Sequence, residues 1–106
     1  MSSYLFIQSR DPITDRTVEL NLNLMCDLLN DSKEVTLFLV QEAVMLAKKG
    51  ILTNHLENFL KKGGKVFADE FSLKIREVDN LKEDVKIAAV SVITDALLDQ
   101  HKVVWN

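Results

Sequence analysis

Glu34-Val35-Thr36-Leu37-Phe38-Leu39-Val40 is the segment that decides the fold class. From its second residue onward it is β-branched or apolar at every position, so other parts of the protein would have to cover both faces of an extended chain here. Runs of this kind are typical of a central strand in a parallel sheet, whereas a strand with one face in water alternates apolar and polar residues. The segment therefore predicts an α/β fold.

Four further strands are predicted on either side of this segment. Short apolar or β-branched runs, bounded by polar residues, proline or glycine, indicate them. They cover residues 4–7, 65–68, 85–89 and 102–105.

Helices are predicted between these strands. In residues 13–30 the leucines at 20, 22 and 24 alternate as in a strand, but Val18, Leu22, Met25 and Leu29 fall on one face of a helix. The run is too long for a typical strand, so a helix is predicted, started by an Asp11 cap with Pro12 in its first turn. Three other helices are predicted. The first covers residues 43–49 and ends at Gly50, and the second covers residues 52–62 and begins at Leu52. The third is capped by Ser91 or Thr94. Residues 69–78 are predicted to be a loop that contains a helical turn.

Strands that alternate with helical stretches indicate βαβ crossovers. We therefore expect a three-layer α/β/α sandwich with a mostly parallel five-stranded sheet. The chain of 106 residues has the size of one domain, so residues 1–106 are expected to form a single unit.

Composition excludes several classes of protein. The net charge is −3 without a basic block, which argues against a nucleic-acid partner. No apolar run approaches the ~20 residues that span a bilayer, and the N-terminus does not resemble a signal peptide. Cys26 is the one cysteine, so no intrachain disulfide can form and a cytoplasmic location is expected. With two isolated histidines, the sequence has no metal-ligand spacing, and neither a metal nor a cofactor is predicted.

Ligands of open parallel sheets bind beyond the carboxyl ends of the strands, and this rule selects the candidate site. The predicted ligand-binding residues are Arg10 after the first strand, Gln41 and Glu42 after the second, and Asp69, Glu70 and Ser72 after the third. Crowded carboxylates at such an edge can act as acid and base or hold a hard cation, although most carboxylates at strand ends are simply solvated.

Four residues outside this edge have structural interpretations beside functional ones. Cys26, beside an apolar stripe, is expected to be a buried structural thiol, and His55 to flank a half-buried helix. His101 has no neighbouring ligand type. Trp105 is expected to be tied either into the core or into a subunit interface, and the sequence leaves both open.

Taken in order, these pieces resemble the DsrE/DsrF-like (TusBCD-type) sulfur-relay family over nearly the whole chain. The pieces are residues 4–7 with their polar loop and long helix, 34–40 followed by 41–47, 64–68 followed by 72–76, and the closing helix with residues 99–104. The resemblance implies a parallel α/β sandwich that assembles into homo- or hetero-oligomers, often trimers or hexamers. It also implies, in the sulfur-carrying members, a cysteine just after the third strand that takes up persulfide sulfur and hands it on.

This chain departs from that pattern at the cysteine. The stretch Ala68-Asp69-Glu70-Phe71-Ser72-Leu73 contains none, and the position falls on Asp69 or Ser72. Another branch carries its cysteine near the C-terminus, where this chain has Trp105-Asn106. A persulfide carrier needs a thiolate that is both nucleophile and leaving group, which neither a carboxylate nor a hydroxyl provides. Cys26 is predicted to lie in mid-helix, so sulfur transfer by this chain alone is not expected.

Two main hypotheses follow from the sequence. The first is a non-catalytic, oligomeric binding or scaffolding subunit, either a homo-trimer or homo-hexamer or a partner of related DsrE-type subunits in sulfur handling. The alternative is a small-ligand or metal-binding enzyme that uses Arg10, Glu42, Asp69 and Glu70. A third hypothesis, a redox role for Cys26, predicts a low thiol pKa.

Overall fold

Five parallel strands form one sheet in the computed structural model, which describes residues 2–11, 15–49 and 54–105. The strands are β1 (Ser3–Gln8), β2 (Glu34–Leu39), β3 (Lys65–Asp69), β4 (Val85–Ala88) and β5 (Lys102–Trp105). Their order across the sheet is β4-β3-β2-β1-β5, so β4 and β5 are the two edges. The helices are α1 (Thr17–Asn30), a 3₁₀ helix (Gln41–Ala47), α2 (Asn54–Lys61), α3 (Glu70–Ile75) and α4 (Ser91–Leu98).

β2 is the central strand that its apolar sequence predicted. Leu37 and Phe38 point to opposite faces of the sheet, and both are fully buried. In the parallel register, Leu37 lies opposite Phe6 of β1 and Val66 of β3. The sheet with helices on both faces confirms the predicted α/β sandwich.

The two faces of the sheet are covered unequally. On one face, α1, the 3₁₀ helix, α2 and α3 bury a large apolar cluster with side chains such as Phe6, Met25 and Phe59. On the other face, a smaller cluster that includes Leu5 and Phe38 packs under α4, the one helix there in the described part of the chain. The crossover from β4 at one edge to β5 at the other runs through α4 and crosses this face.

The helix predicted over residues 43–49 is a 3₁₀ helix instead of an α-helix. Ala43, Val44, Leu46 and Ala47 are all buried, which places the inward side chains three residues apart. This spacing matches the three residues per turn of a 3₁₀ helix better than an α-helical stripe. Backbone hydrogen bonds at its end, such as Lys82 N–H to the Ala47 carbonyl at 2.8 Å, hold it against the segment before β4.

Other local predictions need correction. Residues 69–78 contain a helix, α3, and not merely a turn, because the Asp69 side chain accepts a hydrogen bond from Ser72 N–H and caps it. α1 begins at Thr17, where Asp15 rather than Asp11 accepts the backbone N–H of Thr17. Neither Ser91 nor Thr94 caps α4, whose N-cap residue Val90 makes no side-chain cap bond. The predictions for Pro12, Gly50 and Leu52 lie outside the described residues.

No helix in residues 2–11, 15–49 and 54–105 is both long and apolar enough to cross a membrane.

Gly64 is required where α2 turns into β3. A Cβ atom at this position would lie well inside van der Waals contact of three ring carbons of Phe59, which is fully buried. We expect Gly64→Ala to lower the free energy of unfolding by roughly 1–3 kcal/mol, the usual cost of overpacking. Phe59→Leu in the same chain makes room for the added methyl group, so the two changes together should cost less than the sum of their separate costs. Urea unfolding of the three variants measures this, and strictly additive losses would contradict the contact.

Candidate functional site

The carboxyl ends of β2 and β3 lie side by side. Leu39 is in register with Ala68, so the residues that follow each strand emerge at the same edge of the sheet. This is the edge at which parallel sheets bind ligands. Three of the six predicted residues, Gln41, Asp69 and Ser72, are in hydrogen-bond contact here.

The Ser72 hydroxyl joins the two strand ends. Its Oγ donates a hydrogen bond of 2.6 Å to Oδ2 of Asp69 and accepts one of 2.9 Å from the backbone N–H of Gln41. The same Asp69 oxygen accepts the Ser72 backbone N–H at 3.0 Å. Asp69 and Ser72 are each only 5% exposed. We call these three residues the Asp69–Ser72–Gln41 bridge.

Gln41 adopts a backbone conformation that costs energy. Its φ is +52°, in the left-handed region that non-glycine residues rarely occupy. The conformation turns the chain sharply from β2 into the 3₁₀ helix and aims its N–H at Ser72. The bridge therefore helps to hold a turn that the sequence does not favour by itself.

The remaining carboxylates of the predicted site have partners of their own. Glu42 Oε1 accepts a hydrogen bond of 3.2 Å from Nη2 of Arg76, which follows α3. Glu70 Oε1 lies 3.9 Å from Lys74 Nζ, one helical turn away on α3. In the described ranges 2–11, 15–49 and 54–105, no group of three or more His, Cys, Asp or Glu side chains could hold a metal ion.

Arg10 is engaged within its own loop. Its Nη1 lies 3.0 Å from Oδ2 of Asp15, and Oδ1 of Asp15 accepts both the backbone N–H and the hydroxyl of Thr17. The Thr17 hydroxyl, its N–H and then Arg10 lower the pKa of Asp15 from 3.8 to about 2. Arg10 therefore helps to order the start of α1.

Arg76 is a site residue that the sequence analysis missed. It lies 34 residues after its partner Glu42. The sequence contained a signal for this residue, because Arg76 lies at the end of the segment that follows the third predicted strand. The same segment contains Asp69, Glu70 and Ser72.

A groove of about 430 Å³ lies beside α3 and next to the bridge. Its lining combines apolar and charged side chains from α3, β4 and the segment between them: Glu70, Leu73, Lys74, Glu77, Val78, Asp79, Leu81 and Ile87. On the outer side of α3, Phe71 and Ile75 are 70% and 61% exposed. These two side chains form an exposed apolar surface on α3.

The surroundings of Cys26 argue against the redox hypothesis. Burial raises the pKa of the thiol, and the Lys62 ammonium offsets this only in part. A raised pKa keeps the sulfur protonated and less reactive, the opposite of what the hypothesis required. His55 has a structural place between helices, where Nδ1 lies 3.0 Å from Asn23 Oδ1 and Nε2 contacts Glu19.

Comparisons with known proteins agree with this architecture. The model of the DsrE/DsrF-like family matches residues 2–105. Among solved structures, the YchN protein of E. coli superposes with a TM-score of 0.90 at 18% identity, over 100% of both chains.

Two further structures have lower scores, and both are described as proteins of unknown function. The one from Methanobacterium thermoautotrophicum has a TM-score of 0.81 at 18% identity and covers 100% of each chain. The one from Bacteroides thetaiotaomicron has a TM-score of 0.76 at 14% identity over 97% of this chain and 94% of its own. No curated protein matches the sequence.

The Ser72 hydroxyl is expected to stabilise the fold. Ser72→Ala leaves the Gln41 N–H without its acceptor and removes a donor from buried Asp69, which should cost roughly 1–3 kcal/mol. Ser91→Ala is the matched control, because Ser91 is exposed and should change stability little. Chemical denaturation compares the two variants, and equal stabilities would show that the bridge contributes nothing.

The carboxyl group of Asp15 should titrate at about pH 2 in the folded protein. Because its pKa is lowered below 3.8, its stabilising effect is fully present above that pH and is lost as the pH falls through about 2. Thr17→Val removes the largest cause, so it should raise the pKa of Asp15 toward 3.8. NMR titration of the Asp15 side chain measures this change, and an unchanged pKa would contradict the role of the Thr17 hydroxyl.

Proposed function

The chain belongs to the DsrE/DsrF-like family, and on this basis we propose that it is a non-catalytic, oligomeric binding or scaffolding subunit related to intracellular sulfur transfer. It assembles with copies of itself or with related DsrE-type subunits, and it works in the cytoplasm. The single cysteine of the sequence supports that location, because no intrachain disulfide can form.

The observation that carries the proposal is the Asp69–Ser72–Gln41 bridge. At the end of β3 and in the first turn of α3, where the sulfur carriers that this chain resembles have a cysteine, this chain has the carboxylate of Asp69 and the hydroxyl of Ser72. Both are buried, and the hydroxyl uses its proton and a lone pair in hydrogen bonds within the protein. A group that stores sulfane sulfur must be a thiolate that a partner can reach. Neither side chain meets that requirement.

Cys26 is a poor substitute for the missing thiolate. It lies within α1, partly buried against the larger apolar cluster. Its raised pKa further lowers its nucleophilicity at neutral pH. The role left to the chain is therefore to bind and position other proteins.

The outer surface of α3 is the proposed docking site for a related subunit. Phe71 and Ile75 are exposed one helical turn apart, immediately after the bridge. The bridge fixes the start of α3 relative to β2, so these two side chains are presented on a rigid support. Exposed apolar pairs on a rigid helix are typical anchors of protein interfaces.

The experiment mixes the protein with a cysteine-bearing DsrE-type protein that carries persulfide. We expect a stable mixed complex by size-exclusion chromatography with light scattering, and no added sulfur atom on this chain by intact-mass spectrometry. Phe71→Asp should weaken the complex at least tenfold. Leu98→Asp is the control, since Leu98 is similarly exposed but lies on α4.

Two results would contradict the proposal. One is the absence of any complex with such proteins. The other is retention of sulfur by this chain, which Cys26→Ser would then abolish.

A further inference from the structure

Large apolar side chains gather along the β5 edge of the molecule. β5 itself exposes 39% of Val104 and 64% of Trp105. The helices on either side of this edge add three side chains that are at least half exposed. They are Leu24 of α1, the N-cap residue Val90 of α4, and Leu97 within α4. We call these five residues the β5 edge surface.

Helix geometry directs Leu24 toward this edge. On α1, Glu19 and Asn23 contact His55 of α2, which belongs to the crossover from β2 to β3 and packs beside α1. Leu24 lies on the flank of α1 away from α2, given 100° of rotation per residue. That flank faces β5, because β5 and β2 lie on opposite sides of β1.

The same reasoning applies to α4 on the other face of the sheet. Asp95 and Asp99 line a small cavity with Thr36 of β2 and Phe67 of β3, so their flank of α4 faces β3. Leu97 lies on the opposite flank, toward β5, with Val90 two turns before it. Apolar side chains therefore flank β5 on both faces of the sheet.

β5 lacks the charge that usually protects an edge strand. Edge strands offer unpaired backbone N–H and C=O groups, and proteins commonly block them with outward-facing lysines. Lys102 is the one charged residue of β5, and its ammonium lies 5.4 Å from the centre of the Tyr4 ring on β1. This cation–π contact draws the charge inward over the protein's own sheet.

We propose that β5 pairs antiparallel with β5 of a second copy of the chain, across a two-fold axis perpendicular to the sheet at Val104. The two sheets then form one continuous sheet, and the β5 edge surfaces of the two copies pack on each other. This inference deepens the proposed oligomeric role and rests on it. A two-fold contact can belong to a dimer or a hexamer but not to a simple trimer.

A second copy fits this edge because the surface is self-complementary. With the axis at Val104, Val104 lies opposite its own copy and Val103 lies opposite Trp105, an aromatic–β-branched pair of the kind that stabilises sheets. No lysine of β5 lies opposite another.

The area of the β5 edge surface also fits a dimer. Its five side chains are 39–64% exposed, so they offer apolar area toward the ~800 Å² that each partner of a stable interface buries. The backbone groups of β5 and the polar rim around them supply the remainder.

A cysteine on the proposed axis tests the geometry directly. In Cys26→Ser/Val104→Cys protein, the two introduced thiols face each other with the Cα separation of a cross-strand pair, about 4.5–5.5 Å, which a disulfide can bridge. We expect a covalent dimer on mild oxidation. Cys26→Ser/Ile87→Cys is the matched control, because Ile87 is similarly exposed but lies on the opposite edge strand. Failure of Val104→Cys to cross-link, or equal cross-linking of Ile87→Cys, would overturn the proposal.

A second measurement avoids the introduced thiols. Sedimentation of the native protein should show an even-numbered assembly, and Trp105→Lys should raise its dissociation constant at least tenfold while Ile87→Lys leaves it unchanged. A monomeric native protein would overturn the two-fold contact. If the native protein is monomeric but forms mixed complexes with DsrE-type proteins, the scaffold role stands. If it forms the β5 dimer but binds no such protein, only the scaffold role is contradicted.

Discussion

The burial of β2 on both faces is the constraint on which the rest of the structure depends. Leu37 and Phe38 have no access to water because helices cover both sides of the strand, and its neighbours β1 and β3 run parallel to it. Parallel pairing sends every carboxyl end to one edge. The β2–β3 register then brings Gln41 within reach of Ser72, which is 31 residues away in the chain. The candidate site is thus a consequence of strand pairing.

Much of the fold could be predicted from the sequence because its elements carry strong local patterns. The apolar run of β2 and the helical face formed by Val18, Leu22 and Met25 are examples, and both elements are present. The 3₁₀ helix and α3 were not predicted as such. Their conformations depend on contacts distant in sequence, including the hydrogen bonds of the segment before β4 and the Asp69–Ser72–Gln41 bridge. Local periodicity contains no record of such contacts.

The candidate site was predictable in its location but not in its connections. The rule for parallel sheets correctly placed Gln41, Asp69 and Ser72 at one edge. It could not reveal that Arg10 pairs within its own loop and that Glu42 pairs with Arg76, since partner choice depends on side-chain direction. The binding role predicted for Arg10, Gln41, Glu42, Asp69, Glu70 and Ser72 remains a prediction, whereas their structural contacts are defined.

The position after β3 illustrates why one fold can support different functions. A sulfur-carrying thiolate must be reachable by other proteins, because it attacks one partner and is the leaving group when the next partner takes the sulfur. The Ser72 hydroxyl is instead buried between β2 and α3, where it satisfies a backbone N–H and a carboxylate. Burial of the Ser72 hydroxyl therefore stabilises the fold, whereas the same burial would prevent a sulfur carrier from reaching its partners. In the proposed scaffolding role, the outer side of α3 and the β5 edge are the apolar surfaces suited to binding proteins.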